Sequence, residues 1–213
     1  DNASSGLVVI NQSRADCEEC ALNGNSSYAA QSNFGSALTL WESVVSGRNG
    51  LYAGWHSWLD IDCTASFPAT LDCSLHATQV ALRAFEDSTV AIYAAGDFDG
   101  ALMADGDSKV QLVGARQQST GWKSETDHAP RSNSVSNGSS LRVDPWDNTV
   151  AGSSRLMGIT NVSEFSHALL YADSAGGDSA LVGALNCGSG GDAWVDAGVD
   201  LTAGSITGCD HAE

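Results

Sequence analysis

Apolar residues in this chain recur at every second position in short runs, and Gly, Asp, Asn or Ser breaks each run before a helical face can accumulate. Residues 77–85 place Val80, Leu82 and Ala84 on one face, and residues 89–94 do the same with Val90, Ile92 and Ala94. The Glu86-Asp87-Ser88 segment between them predicts a hairpin. Residues 100–104 and 109–113 predict another around Asp105-Gly106-Asp107, because Asp-Gly suits the left-handed positions of a tight turn. Further runs lie at 7–10, 36–45, 51–63, 141–143, 155–160, 165–172, 179–185, 193–199 and 205–207. Residues 21–36 and 115–140 are polar and read as loops.

Roughly ten to twelve short strands without an amphipathic helix predict an all-β fold, a disulfide-stabilised antiparallel β-sandwich or jelly roll. A β-solenoid is the alternative. It rests on an echo between Tyr93-Ala-Ala-Gly-Asp97 and Tyr171-Ala-Asp-Ser-Ala-Gly-Gly-Asp178. A chain of 213 residues suits a single β domain over residues 21–213, preceded by an N-terminal strand and Cys-x-x-Cys segment over residues 1–20.

Six cysteines, Cys17, Cys20, Cys63, Cys73, Cys187 and Cys209, predict disulfides and an oxidising compartment. Six cysteines allow fifteen pairings, and all stay open at this point: Cys63 and Cys73 enclose a short loop, Cys187 and Cys209 could tie the C-terminal tail back, and Cys17 and Cys20 could pair locally or with distant cysteines. A redox role for Cys17-Glu-Glu-Cys20 is disfavoured, because no helical pattern follows and two carboxylates would raise the thiol pKa. A zinc site with Cys73-Ser-Leu-His76 is disfavoured by the distance between the two halves. Five Asn-x-Ser sequons, at Asn2, Asn11, Asn25, Asn137 and Asn161, predict glycosylation. The polar start at Asp1 reads as a processed N-terminus, and no apolar run reaches the ~18 residues of a membrane span. The expected location is secreted, extracellular, or on a cell or virion surface.

Acidic groups outnumber basic ones by 26 to nine, for a formal net charge of −17. That balance excludes nucleic acid as a partner, since phosphate binding needs a basic footprint. Abundant Asp with scarce Lys suits a halophilic setting, where salt screens the self-repulsion.

Three clusters carry candidate chemistry. Asp97, Asp99, Asp105 and Asp107 lie around Gly turns and offer hard oxygen ligands for calcium, although the EF-hand spacing is absent; no cofactor is required. Tyr52, Trp55 and Trp58 form an aromatic group suited to stacking on glycans, and a single strand would put Tyr52 and Trp58 on one face. Leu7, Val8, Val9 and Ile10 form an isolated strand that could complete the sheet of a neighbouring subunit.

No Gly-x-Ser-x-Gly elbow is present, and none of the histidines at 56, 76, 128, 167 and 211 sits in a catalytic context. The chain therefore reads as a non-enzymatic structural or surface protein, such as a subunit of a filament, surface layer or virion shell. Its partners would be copies of itself or other surface proteins. A carbohydrate-binding or adhesion module is the alternative, and a secreted hydrolase ranks third.

Overall fold

The computed structural model describes residues 6–63, 73–123, 126, 129–145, 154–172 and 179–209. Every ladder between its sixteen strands is parallel. The antiparallel sandwich is thereby corrected. Successive stretches of chain, here termed coils, stack so that the strands of one pair in parallel with those of the next.

One wall consists of β2 (Arg14–Glu18), β4 (Ala37–Trp41), β6 (Trp58–Asp62), the start of β8 (Thr89–Asp105), the start of β9 (Lys109–Ser119), β11 (Ser140–Asp144), β13 (His167–Leu170) and β15 (Asp192–Val195), paired in that order. The rest of each coil is carried by β1 (Leu7–Val9), β3 (Ala21–Asn33), β5 (Val44–Gly54), β7 (Ser74–Phe85), the end of β8, β10 (Asn133–Val135), β12 (Ser154–Val162), β14 (Ser179–Cys187) and β16 (Gly204–Thr207). The longer of these strands bend part-way, and glycines stack at the bend. A Cβ on Gly47 (φ +136°) would stand 2.3 Å from the Gly24 carbonyl oxygen, and one on Gly183 (φ +128°) 2.3 Å from that of Gly158. Only glycine allows coils to approach so closely there.

Alternation survives the change of topology, because a parallel strand also turns every second side chain inward. Leu38, Leu59, Val90, Val110 and Leu141 stack in one buried row, and Leu40, Ile61, Ile92, Leu112, Val143 and Leu170 in another. Leu51, Leu82, Leu102 and Phe98 close the core from the other walls. Each such side chain is worth about 1.5–3 kcal/mol of burial.

The corner that returns the chain to the first wall repeats one conformation. Two residues with positive φ precede a serine: Asn11 and Gln12, Phe34 and Gly35, Trp55 and His56, Glu86 and Asp87, Gly106 and Asp107, Asn137 and Gly138, Glu164 and Phe165. The serines that follow form a ladder. Ser13 N–H donates to Ser36 Oγ at 3.3 Å, Ser36 to Ser57 at 3.2 Å, Ser57 to Ser88 at 3.0 Å, and Ser88 to Ser108 at 3.2 Å. Ser108 donates to Ser139 at 3.0 Å, and Ser139 to Ser166 at 3.1 Å. A left-handed non-glycine residue costs about 1 kcal/mol. The hydroxyl offsets it by accepting from a buried N–H that no strand partner reaches.

Both predicted hairpins are corrected by this corner: Glu86-Asp87 and Gly106-Asp107 are steps of the ladder, and β7 runs parallel to β8. The polar residues expected to form loops are partly strand as well, since β3 occupies 21–33, β9 runs into the 115–140 segment as far as Ser119, and β10 lies within it. Successive serines lie 23, 21, 31, 20, 31 and 27 residues apart. The longer coils take up their extra residues between β6 and β7, β9 and β10, and β11 and β12.

Three disulfides close within this frame, consistent with an oxidising environment. Cys17–Cys20 closes the turn after β2; Cys63–Cys73 ties the end of β6 to the start of β7; Cys187–Cys209 joins the end of β14 to the residue beyond β16. No helix of the described residues is long and apolar enough to cross a membrane.

Candidate functional site

On the first wall, the residues at one, three and five positions after each corner serine point outward. In the second to fourth coils these positions hold Ala37, Thr39 and Trp41; Trp58, Asp60 and Asp62; Thr89, Ala91 and Tyr93. The register places Asp62 between Trp41 and Tyr93, and Asp60 between Thr39 and Ala91. Parallel strands about 4.8 Å apart therefore build a flat platform of aromatic rings interleaved with carboxylates. Trp41 and Trp58 remain 41% and 39% exposed, so both present indole surface to solvent.

Asp60 is the buried member. Trp58 Nε1–H donates to its Oδ1 at 2.8 Å. Burial lifts its carboxyl above the usual range, the hydrogen bonds from Trp58 and Thr39 pull against that, and Asp62 and Asp16 add to the rise. Burial also raises the Tyr93 phenol, with the fields of Asp60 and Asp62 adding and that of Arg142 opposing. The platform thus offers ring faces, a tethered indole N–H and carboxylate acceptors on one rigid surface. Those are the groups that hold a polar ring by stacking and hydrogen bonding.

The expected trio Tyr52, Trp55 and Trp58 is divided. A corner interrupts what had read as one strand, leaving Tyr52 on β5, Trp55 in the corner and Trp58 on β6. Tyr52 packs against Tyr28 with ring centroids 5.1 Å apart. Trp55 stacks on Phe34 from the preceding corner (4.8 Å, 7°) and meets Phe85 edge-on (5.8 Å, 89°). Trp58 alone of the three belongs to the platform, and Trp41 and Tyr93 were missed. Their signal was positional: both stand five residues after a corner serine, as Tyr171 does.

The four aspartates proposed for calcium are also dispersed. Asp97 Oδ1 accepts from Arg116 Nε at 2.6 Å and lies 4.0 Å from Arg155. Asp99 accepts from Ser119 Oγ at 2.9 Å and faces His76 Nδ1 at 3.3 Å. Asp105 accepts from Ser136 Oγ and Asn137 Nδ2, and Asp107 is a corner residue. Among the described residues no group of three or more His, Cys, Asp or Glu converges on a point.

Leu7, Val8 and Val9 pair with Ala30, Gln31 and Ser32 of the same chain, so the strand expected to be donated to a neighbour lies on its own coil, with Ile10 exposed just beyond it. β2 likewise pairs with β4, so both strands of the expected N-terminal segment stack on the coil that follows. Two sequons coincide with corners. Asn11 and Asn137 adopt positive φ, and Ser139 Oγ is already engaged in the ladder, so the corner itself calls for these residue types. Asn161 is exposed on β12; Asn25 falls on β3 with its side chain outside the described residues, as are Asn2 and His128 altogether. Comparison of the chain with protein-family models, with curated proteins and with solved structures gave no match.

Proposed function

We propose that this chain is a non-catalytic extracellular structural or surface protein, a stiff stack of coils that displays its flat first wall to partners. The observation that carries the reading is the unbroken serine ladder from Ser13 to Ser166, with a continuous aliphatic core beneath it. Three staples reinforce the same stack. A repeat scaffold of this kind spreads stability along its length and offers long, regular faces. The strong negative charge suits a saline exterior, and salt screening of that charge favours association of copies. Electron microscopy and light scattering of purified protein, from low to high salt, test the proposal. Ordered filaments or arrays support it; a monodisperse monomer at high concentration and high salt overturns it.

The platform around Trp58 favours glycan binding as a second reading. Rings at Trp41, Trp58 and Tyr93 with acceptors at Asp60 and Asp62 suit a neutral sugar. A glycan array would show saturable binding that Trp58→Ala weakens by about tenfold or more. Equal binding by the variant would dismiss this surface.

A further inference from the structure

Four arginines of this acidic chain face an aspartate: Arg14 with Asp16, Arg116 and Arg155 with Asp97, and Arg142 with Asp144. Arg48, Arg83 and Arg131 do not: none of the three has a carboxylate within ion-pairing distance among the described residues, although the chain carries 26 acidic groups. Two of them, Arg83 and Arg131, line the same cleft, of about 380 Å³, on the wall formed by β3, β5, β7 and β8.

The cleft is a built site. Gln79, only 5% exposed, lines it. Its Oε1 accepts from Arg131 Nη2 at 3.1 Å, which fixes the amide orientation, and its buried Nε2 has no hydrogen-bond partner among the described residues. A donor so placed costs about 1–3 kcal/mol unless something accepts from it. Arg131 is itself held, donating Nε–H to Trp122 O at 3.1 Å and Nη2–H to Lys123 O at 3.0 Å. Gly121 lies so close to Thr78 and Gln79 that a Cβ would stand 2.6 Å from the Thr78 oxygen, so the segment carrying Arg131 is pressed onto β7. Arg83 lies with its Cζ 5.9 Å from the Tyr52 ring centroid, and Tyr28, which packs on Tyr52, is another lining residue. Asn49 and Met103 also line it.

We propose that this cleft binds a carboxylate carried on a polar, sugar-sized body. Arg83 and Arg131 hold the carboxylate, Gln79 Nε2 donates beside them, and Tyr28 and Asn49 meet the body. The Arg83 guanidinium supplies a planar fork that matches a carboxylate in two parallel hydrogen bonds, and Arg131, whose Nε–H and both Nη2–H are already donated within the chain, adds its Nη1–H. A monoanion also enters the field of a chain with net charge −17 more readily than a dianion does. The cleft falls within the roughly 300–1,000 Å³ of small-molecule sites and is the right size for one or two sugar rings. This site is on a different wall from the aromatic platform and does not depend on the function proposed above.

Calorimetric titration of the intact protein with glucuronate, glucose and inorganic phosphate tests it. Glucuronate should bind saturably, and glucose and phosphate at least about tenfold more weakly. Arg83→Gln should weaken glucuronate by about tenfold or more, whereas Arg14→Gln, which removes the same charge far from the cleft, should leave it unchanged. If Arg83→Gln does not fold, Arg131→Gln gives the same reading from the connecting segment outside the strands. No glucuronate binding, tighter binding of phosphate or glucose, or equal losses in Arg83→Gln and Arg14→Gln would each overturn the proposal.

Discussion

The serine corner and the bend around Asn133 both satisfy buried polar groups where the chain changes direction, and they do it differently. At the corner, one hydroxyl serves one N–H of the neighbouring coil, and the unit repeats from Ser13 to Ser166. At the bend, a single residue serves several coils at once. Asn133 Oδ1 accepts from Leu102 N–H at 3.0 Å and Gln117 Nε2–H at 2.9 Å. Its Nδ2 donates to Met157 O at 3.1 Å and Thr160 Oγ1 at 3.0 Å. Gln117 extends the network to Gly100 O and Met157 N–H. Asn133, Gln117 and Thr160 are all fully buried. The corner is redundant and local, whereas the bend is unique and shared. The bend also follows the connection between β9 and β10, whose Gly121 and Trp122 lie against β7 and whose Arg131 lines the cleft.

The contrast predicts unequal sensitivity. Asn133→Leu, nearly isosteric, takes a hydrogen bond from each of Leu102, Gln117, Met157 and Thr160 and should cost more than about 3 kcal/mol in urea unfolding. A loss below about 1 kcal/mol would mean that the network is not holding the bend. Ser108→Ala strands only the Ser88 N–H and should cost about 1–2 kcal/mol. Because each step of the ladder is local, Ser57→Ala combined with Ser139→Ala should add to within about 0.5 kcal/mol. A coupling several times larger would turn the ladder from a row of independent bonds into a cooperative one.

The same contrast explains what could be read in advance. Ser-x-apolar-x-apolar recurs at Ser36, Ser57, Ser88, Ser108, Ser139 and Ser166, so the repeat is written in the chain. Uneven coil lengths hid it from any search at a fixed period, and the echo of Tyr93 with Tyr171 is two samples of it. The choice between parallel and antiparallel pairing was not legible locally. Alternation is the same in both, and Asp-Gly or Asn-Gly serves a hairpin turn and a left-handed corner equally well. The local disulfides Cys63–Cys73 and Cys187–Cys209 stood out by spacing, although all fifteen pairings stayed open. The platform did not, because Trp41, Trp58 and Tyr93 come from three coils and meet only through register. Nor did the cleft, where Arg83 and Arg131 belong to segments 48 residues apart.

A smaller effect separates the platform from both polar regions. The corner and the bend bury neutral polar groups, and the platform buries a charge, that of Asp60. Because burial holds the Asp60 carboxyl above its ordinary value of 3.8, the folded chain binds that proton more tightly than the unfolded chain does. Stability therefore falls as pH rises from the unfolded value through the folded one, and the cost of the bare carboxylate is fully present above that window. Asp60→Asn removes the charge yet keeps an Oδ1 to accept from the Trp58 indole. The variant should melt slightly higher than the parent at neutral pH, and the gain should vanish below about pH 3, where both states carry the proton. Melting curves across that range decide it: a gain that does not change with pH would trace the effect to packing, and a loss at neutral pH would mean that the Asp60 charge is compensated by the field around it.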